Sequence, residues 1–115
     1  MAVDYDATVI NVDYRRAPEH KSPCGIDDGY AAVKWAIAKA NELGINPNKI
    51  ATIGESGGGY IVAGISMRLA EANEGGLIRF SAHVSPMCTN KLLITPESAL
   101  DPMGLMIKGV VVEII

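Results

Sequence analysis

Apolar and polar positions alternate between two periods along this chain. Thr8 to Tyr14 is apolar and β-branched apart from Asn11 and Asp13, which reads as a buried strand. Arg15 to Gly25 carries Pro18, Pro23 and Gly25 and reads as a loop. The period then lengthens. Ile26, Tyr30, Val33, Ile37 and Ala40 recur at three- and four-residue spacing, predicting a helix from about Asp27 to Leu43 with one apolar face. Asp27 and Asp28 suit its N-terminal end as cap and dipole partners, and Gly44 with Pro47 suits its stop. Lys49 to Ile53 predicts a short strand, Gly54 to Gly59 a glycine-rich turn, and Tyr60 to about Ala72 a largely buried helix. Leu77 to Val84 is a third strand candidate. Gly109 to Ile115, with its Val-Val-Val-Glu-Ile-Ile run, is a fourth. Strands alternating with helices favour an α/β fold with a parallel sheet.

The turn between the second strand and second helix reads Gly54-Glu55-Ser56-Gly57-Gly58, a G-x-S-x-G pattern in strand–turn–helix context. A nucleophile on so sharp a turn needs a strained backbone. Side chains two residues either side would collide, and glycine at 54 and 58 removes the collision. Ser56 is therefore expected at positive φ, with the helix beginning at Gly57 or Gly58. The Gly57 N–H is then placed to donate to a developing oxyanion, where the helix dipole favours negative charge. A plain tight turn with a serine cap would use the same residues. Two phosphate-loop patterns fail at the residues that carry their chemistry. A Walker A loop starting at Gly54 meets Tyr60-Ile61 where Lys and Ser/Thr belong, and a dinucleotide fingerprint meets Val62 where its last glycine belongs.

Composition removes several other classes. Half the residues are apolar, a fifth are charged and the net charge is −3, with signs mixed along the chain. That pattern is globular and lacks the basic footprint of a nucleic-acid binder. No apolar run is long enough to be a membrane span, and Met1 to Asp4 has neither the basic nor the apolar region of a signal peptide. Cys24 and Cys88 have no C-x-x-C spacing and read as two reduced thiols of a cytosolic-type protein. His20 and Cys24 stand four apart around Pro23, too few ligands for zinc, so no metal and no cofactor is expected.

Three further stretches sharpen the reading. Val12-Asp13-Tyr14-Arg15-Arg16-Ala17-Pro18-Glu19-His20 resembles the V-D-Y-R-L-A-P-E-H run of the hormone-sensitive-lipase-like esterases, with Arg16 where that family has Leu. Ile26-Asp27-Asp28-Gly29-Tyr30-Ala31-Ala32-Val33-Lys34-Trp35 is similar to the helix that follows in that family. Leu43-Gly44-Ile45-Asn46-Pro47-Asn48-Lys49-Ile50-Ala51 is similar to its connection into the nucleophile strand. With the serine turn these make four motifs in the family's order, covering roughly residues 8 to 86; residues 87–115 are unassigned.

The resemblance implies an α/β-hydrolase of the carboxylesterase or lipase type, present as a single partial domain with parallel strands, flanking helices and an incomplete sheet. It implies a small-molecule ester substrate hydrolysed through a Ser56 acyl-enzyme, with Gly57 as oxyanion donor and Gly54 and Gly58 as the elbow glycines. His20, Asp13 and Arg15 then take structural roles in the loop motif. The family places its acid and then its base after the serine. After Ser56 the chain has one histidine, His83, and the carboxylates between them are Glu71 and Glu74, near the far end of the helix. Asp101-Pro102 is similar to the family's acid loop, but no histidine follows it, and no H-G-G-G oxyanion motif precedes Thr8. The chain by itself is therefore expected to be inactive, and a non-catalytic remnant or interaction module derived from that family is the alternative. One topological expectation follows. In the family, the strand carrying H-G-G-G lies between the strand before the Y-R-x-A-P-E-H loop and the nucleophile strand. Thr8 to Tyr14 and Lys49 to Ile53 are thus expected to flank an empty slot or to pair directly, leaving the chain molten or aggregation-prone.

Overall fold

The computed structural model describes residues 6–86 and 110–114. Its elements are β1 (Thr8–Val12), α1 (Cys24–Ala38), a short α2 (Ala40–Leu43), β2 (Ile50–Glu55), α3 (Gly57–Glu71), a single 3₁₀ turn (Gly75–Leu77), β3 (Phe80–Val84) and β4 (Val110–Ile114). Each predicted strand and helix is present, with shifted ends. The first helix starts at Cys24, three residues before Asp27, and breaks at Lys39 before α2 resumes. Gly44 closes α2 in the left-handed conformation at φ 66°, where its N–H and that of Ile45 reach back to Asn41 and Ala40 carbonyls.

Asp27 and Asp28 do not cap α1, whose N-cap is Pro23 without a side-chain hydrogen bond. They reach outward to other elements. Asp28 accepts from the Arg15 backbone N–H at 2.8 Å and from Arg15 Nη2 at 2.7 Å, which fastens the loop after β1 onto α1. Asp27 pairs with Arg68 of α3. Nearby, Glu74 accepts from Tyr30 Oη at 3.0 Å and Lys34 Nζ at 2.8 Å, while the Arg68 guanidinium lies 5.6 Å from the Tyr30 ring centre. These contacts tie the end of α3 to α1.

Arg15 hydrogen bonding, opposed by desolvation, holds the Asp28 carboxyl below its ordinary range. A carboxylate depressed on folding contributes stability that is fully present above its unfolded pKa of about 4 and is lost as pH falls through the folded value. Asp28→Asn is therefore expected to lower the urea midpoint at pH 7, and the gap from the parent chain should narrow as pH falls below about 4. A gap of equal size above and below that pH would show that charge is not what Asp28 contributes.

The core lies between the sheet and the two long helices. Val33 and Ala36 of α1, Ile61, Val62, Ile65 and Leu69 of α3, Ile50 of β2 and Tyr14 after β1 are its buried members. The helices approach closely because glycines meet isoleucines. A Cβ on Gly29 would stand 2.6 Å from Ile65 Cδ1, and one on Gly64 would stand 2.4 Å from Ile26 Cδ1. Within this core the Tyr14 hydroxyl is buried with no hydrogen-bond partner among the described residues. Burial pushes its pKa up, against a smaller opposing effect of Arg16. An unmet buried hydroxyl is a net cost, so Tyr14→Phe should leave stability unchanged or raise it by up to about 1 kcal/mol. A fall of that size in urea unfolding would mean the hydroxyl is hydrogen-bonded in solution.

The strand order is β1-β4-β2-β3. β2 and β3 are parallel, as the alternation of elements predicts. The expectation of an empty or collapsed slot between β1 and β2 is not met. β4 fills it, antiparallel to both neighbours, pairing Thr8 to Val12 on one edge and Ile50 to Gly54 on the other. The inner edges of β1 and β2 thereby gain backbone partners. The unpaired inner edges from which a molten or aggregation-prone chain is expected are therefore filled.

Candidate active site

Three parallel-running strands and one reversed strand bring the glycine-rich turn to the C-terminal ends of β2 and β3, the end where α/β sheets place their ligands. Ser56 stands between β2 and α3 at φ 52° and ψ −113°, a conformation that costs a non-glycine residue about 1–3 kcal/mol. α3 begins at Gly57, as the motif predicts.

The turn is held from both sides. The Ser56 N–H donates to the Val84 carbonyl at 2.8 Å, and the Ser56 carbonyl accepts the first helical bond, from Tyr60 N–H at 3.1 Å. The N–H groups of Gly57, Gly58 and Gly59 then have no partner inside the helix, which leaves a row of donors beside Ser56. Gly54 makes the sharpness possible. A Cβ there would lie 2.2 Å from the Gly58 carbonyl oxygen, so β2 and the first turn of α3 touch through backbone alone. Gly59 meets Pro86 in the same way, at 3.1 Å from its Cα. The neighbouring strand ends in a second strained serine, Ser85 at φ 46°, which carries no pattern in the sequence that would reveal it.

Ser56 is half-buried, and among the described residues no hydrogen bond reaches its Oγ. His83 is paired with Gly54 in the β2/β3 register, close to the elbow along the backbone. Its side chain is engaged elsewhere. Nε2 lies 3.0 Å from Ser81 Oγ, which in turn lies 2.9 Å from the buried Thr52 Oγ1 and 3.4 Å from Ser66 Oγ of α3. Ser81 precedes His83 on a strand running toward the elbow, so this polar chain leads back along the sheet, away from Ser56. His20 is exposed in the loop after β1, its backbone N–H bonded to the Arg16 carbonyl at 2.9 Å. Arg16, where the esterase motif has Leu, is exposed and stands 3.6 Å from Asp13. Glu74 is occupied by Tyr30 and Lys34 at the far end of α3, and Lys34 first, then Tyr30, hold its carboxyl below the ordinary range. Asp101 and Pro102 lie outside the described residues.

Serine at a strained strand-to-helix turn, glycines at the two contact positions and a row of N–H groups without a partner inside the helix form one arrangement. The sequence matches the α/β hydrolase fold family model over residues 1–103. The chain belongs to the α/β-hydrolase family. Among curated proteins, the carboxylesterase NlhH of Mycobacterium tuberculosis is 53% identical over 62 residues, which are 54% of this chain and 19% of that protein. The arylesterase of Saccharolobus solfataricus is 51% identical over 69 residues, 60% of this chain and 22% of that one. A solved esterase structure from Rhizomucor miehei superposes with a TM-score of 0.64 at 31% identity, covering 67% of this chain and 24% of the other. The chain thus spans about a fifth of the length of the curated relatives it matches. Those relatives are named as esterases, and this chain matches a part of each.

Proposed function

We propose that this chain is the nucleophile-bearing segment of a carboxylic ester hydrolase, with Ser56 as the attacking group, Gly57 N–H as one oxyanion donor and the base and acid supplied by residues beyond those described. The observation that carries this reading is the backbone of Ser56. A serine held at φ 52° between a Gly54–Gly58 contact and a helix N-terminus is a costly conformation. In this reading the cost serves chemistry, because a nucleophile on a sharp strand-to-helix turn stands beside helix N–H groups that would stabilise the tetrahedral oxyanion.

In the step so proposed, Ser56 Oγ attacks the ester carbonyl as its proton passes to a base. The oxyanion is held at Gly57, and collapse expels the alcohol and leaves the acyl group on Ser56. Water then repeats the attack and releases the acid. The substrate class is a small-molecule carboxylic ester, and none of these steps calls on a metal or cofactor.

The chain's two histidines, His20 and His83, are accounted for by the loop and by the Ser81 hydrogen bond. Without a base Ser56 is an ordinary alcohol. The 115-residue chain is therefore expected to turn over p-nitrophenyl acetate no faster than its Ser56→Ala variant. Turnover that depends on Ser56 would contradict this and would be traced by His83→Ala, which should then abolish it. The second reading is a non-catalytic remnant or interaction module, and it rests on a different observation, that no group engages Ser56 Oγ among the described residues.

A further inference from the structure

The polar chain running back from His83 has a direction set by its protons. Ser81 and His83 stand two apart on β3, so they share the face that carries Thr52 and Gly54 of β2 and meets α3. Ser81 Oγ is the hub. It lies 2.9 Å from Thr52 Oγ1, 3.0 Å from His83 Nε2 and 3.4 Å from Ser66 Oγ. Each hydroxyl carries one proton and can accept two. Ser66 gives its proton to the Val62 carbonyl at 3.0 Å. Thr52 is fully buried, and among the described residues Ser81 Oγ is the acceptor within its reach, so Thr52 donates to Ser81. The Ser81 proton is left with two acceptors. Ser66 Oγ at 3.4 Å lies beyond the ordinary O–H···O range, whereas Nε2 at 3.0 Å is in reach. Ser81 therefore donates to His83, whose Nε2 is a bare acceptor with the ring proton on Nδ1. A hydroxyl giving its proton to a neutral imidazole is the arrangement of a nucleophile with its base.

The space beside Ser81 suits a small reactant. A cavity of about 140 Å³ opens there, with Leu69, Ile78 and Phe80 as apolar walls, Ser66 and Ser81 as hydroxyls and Arg79 as a cation. An apolar cavity of about that size takes one benzene-sized molecule. The Arg79 guanidinium has no ion pair among the described residues, so its charge is available to a developing oxyanion.

We propose that Ser81 is a second nucleophile of this chain, taking the acyl group of a small activated ester with His83 Nε2 as its base. Ser81 Oγ bonds to the ester carbonyl carbon as its proton passes to Nε2. The carbonyl re-forms as the bond to the leaving phenolate breaks, the acyl group stays on Ser81, and the imidazolium returns its proton to solvent. No residue of the serine turn takes part, so this site stands or falls apart from the role of Ser56.

Two measurements on the full chain test this. In the first, the chain is incubated with p-nitrophenyl acetate and its acetylated peptides are mapped by mass spectrometry. An acetyl ester on Ser81 is expected in the parent chain and to the same extent in Ser56→Ala. His83→Gln keeps a side-chain acceptor for the Ser81 proton but cannot serve as a base, so it should acetylate Ser81 at least about tenfold more slowly. If His83 were only a structural partner, glutamine would replace it without loss. No acetyl on Ser81, a rate unchanged in His83→Gln, or Ser81 labelling that disappears in Ser56→Ala overturns the proposal.

The second measurement needs no substitution. The imidazole nitrogen chemical shifts of the unaltered chain, read with the ring neutral, should place the His83 proton on Nδ1 and leave Nε2 bare. A proton on Nε2 would mean that Ser81 does not donate to His83, and the base would be lost with it.

Discussion

Gly54→Ala is expected to destabilise the chain by about 3 kcal/mol or more, a large part of the roughly 5–15 kcal/mol that holds a small domain together. The added methyl would sit 2.2 Å from the Gly58 carbonyl oxygen, 2.3 Å from its carbon and 2.8 Å from Gly59 N. All three are backbone atoms of the first turn of α3, so no side-chain rotation relieves the contact. The helix has to move off the strand, and that movement pulls on the Ser56–Val84 hydrogen bond and on the packing of Gly59 against Pro86. Gly75→Ala is the matched control, because no atom lies within 4 Å of a Cβ there. Its urea midpoint should correspond to a change within about 0.5 kcal/mol of the parent. If Gly54→Ala behaved like Gly75→Ala, α3 would not be docked on β2 through this contact.

That contact also explains why the turn was legible in the sequence. The collision between positions 54 and 58 is local, so glycine at both, with serine between them, is a signature that survives without any knowledge of the rest of the fold. The parallel pairing of β2 and β3 was legible for a similar reason, since a strand, a helix and a strand in succession leave few other arrangements.

The features that local sequence does not reveal depend on residues distant in sequence. Asp27 and Asp28 look like helix caps by local rules, yet they serve Arg68 and Arg15, and α1 starts ahead of them at Cys24. The spacing of Gly25 and Gly29 is the sign in the sequence that α1 meets another helix closely, since a Cβ at these positions would crowd Ile61 and Ile65 of α3. The filling of the β1/β2 channel had a sign too, in the branched run from Val110. Strand order is a long-range property, however. The run did not say which edge it would join, and the family's topology argued for a gap. His83 shows the same limit in the site. Its place in the sequence made it the one histidine after the serine, whereas its hydrogen bond to Ser81 is set by the pitch of β3.

The proposal that Ser56 is a nucleophile rests on its strained backbone and on the chain's membership of the α/β-hydrolase family, with base and acid to come from residues beyond those described. The direct way to ask this is to supply them. Residues 8–86 of this chain can replace the corresponding segment of the NlhH carboxylesterase, which is 53% identical over 62 residues and retains its own flanking sequence. In that graft the ratio of kcat/KM for p-nitrophenyl acetate with Ser56 to that with Ser56→Ala is the decisive quantity. Loss of an acyl-transfer nucleophile lowers the rate by at least about 10³-fold. A ratio of that size, with Ser56 acylated during turnover, is the predicted result. A folded graft whose turnover is unchanged by Ser56→Ala would contradict the assignment of Ser56 as the nucleophile.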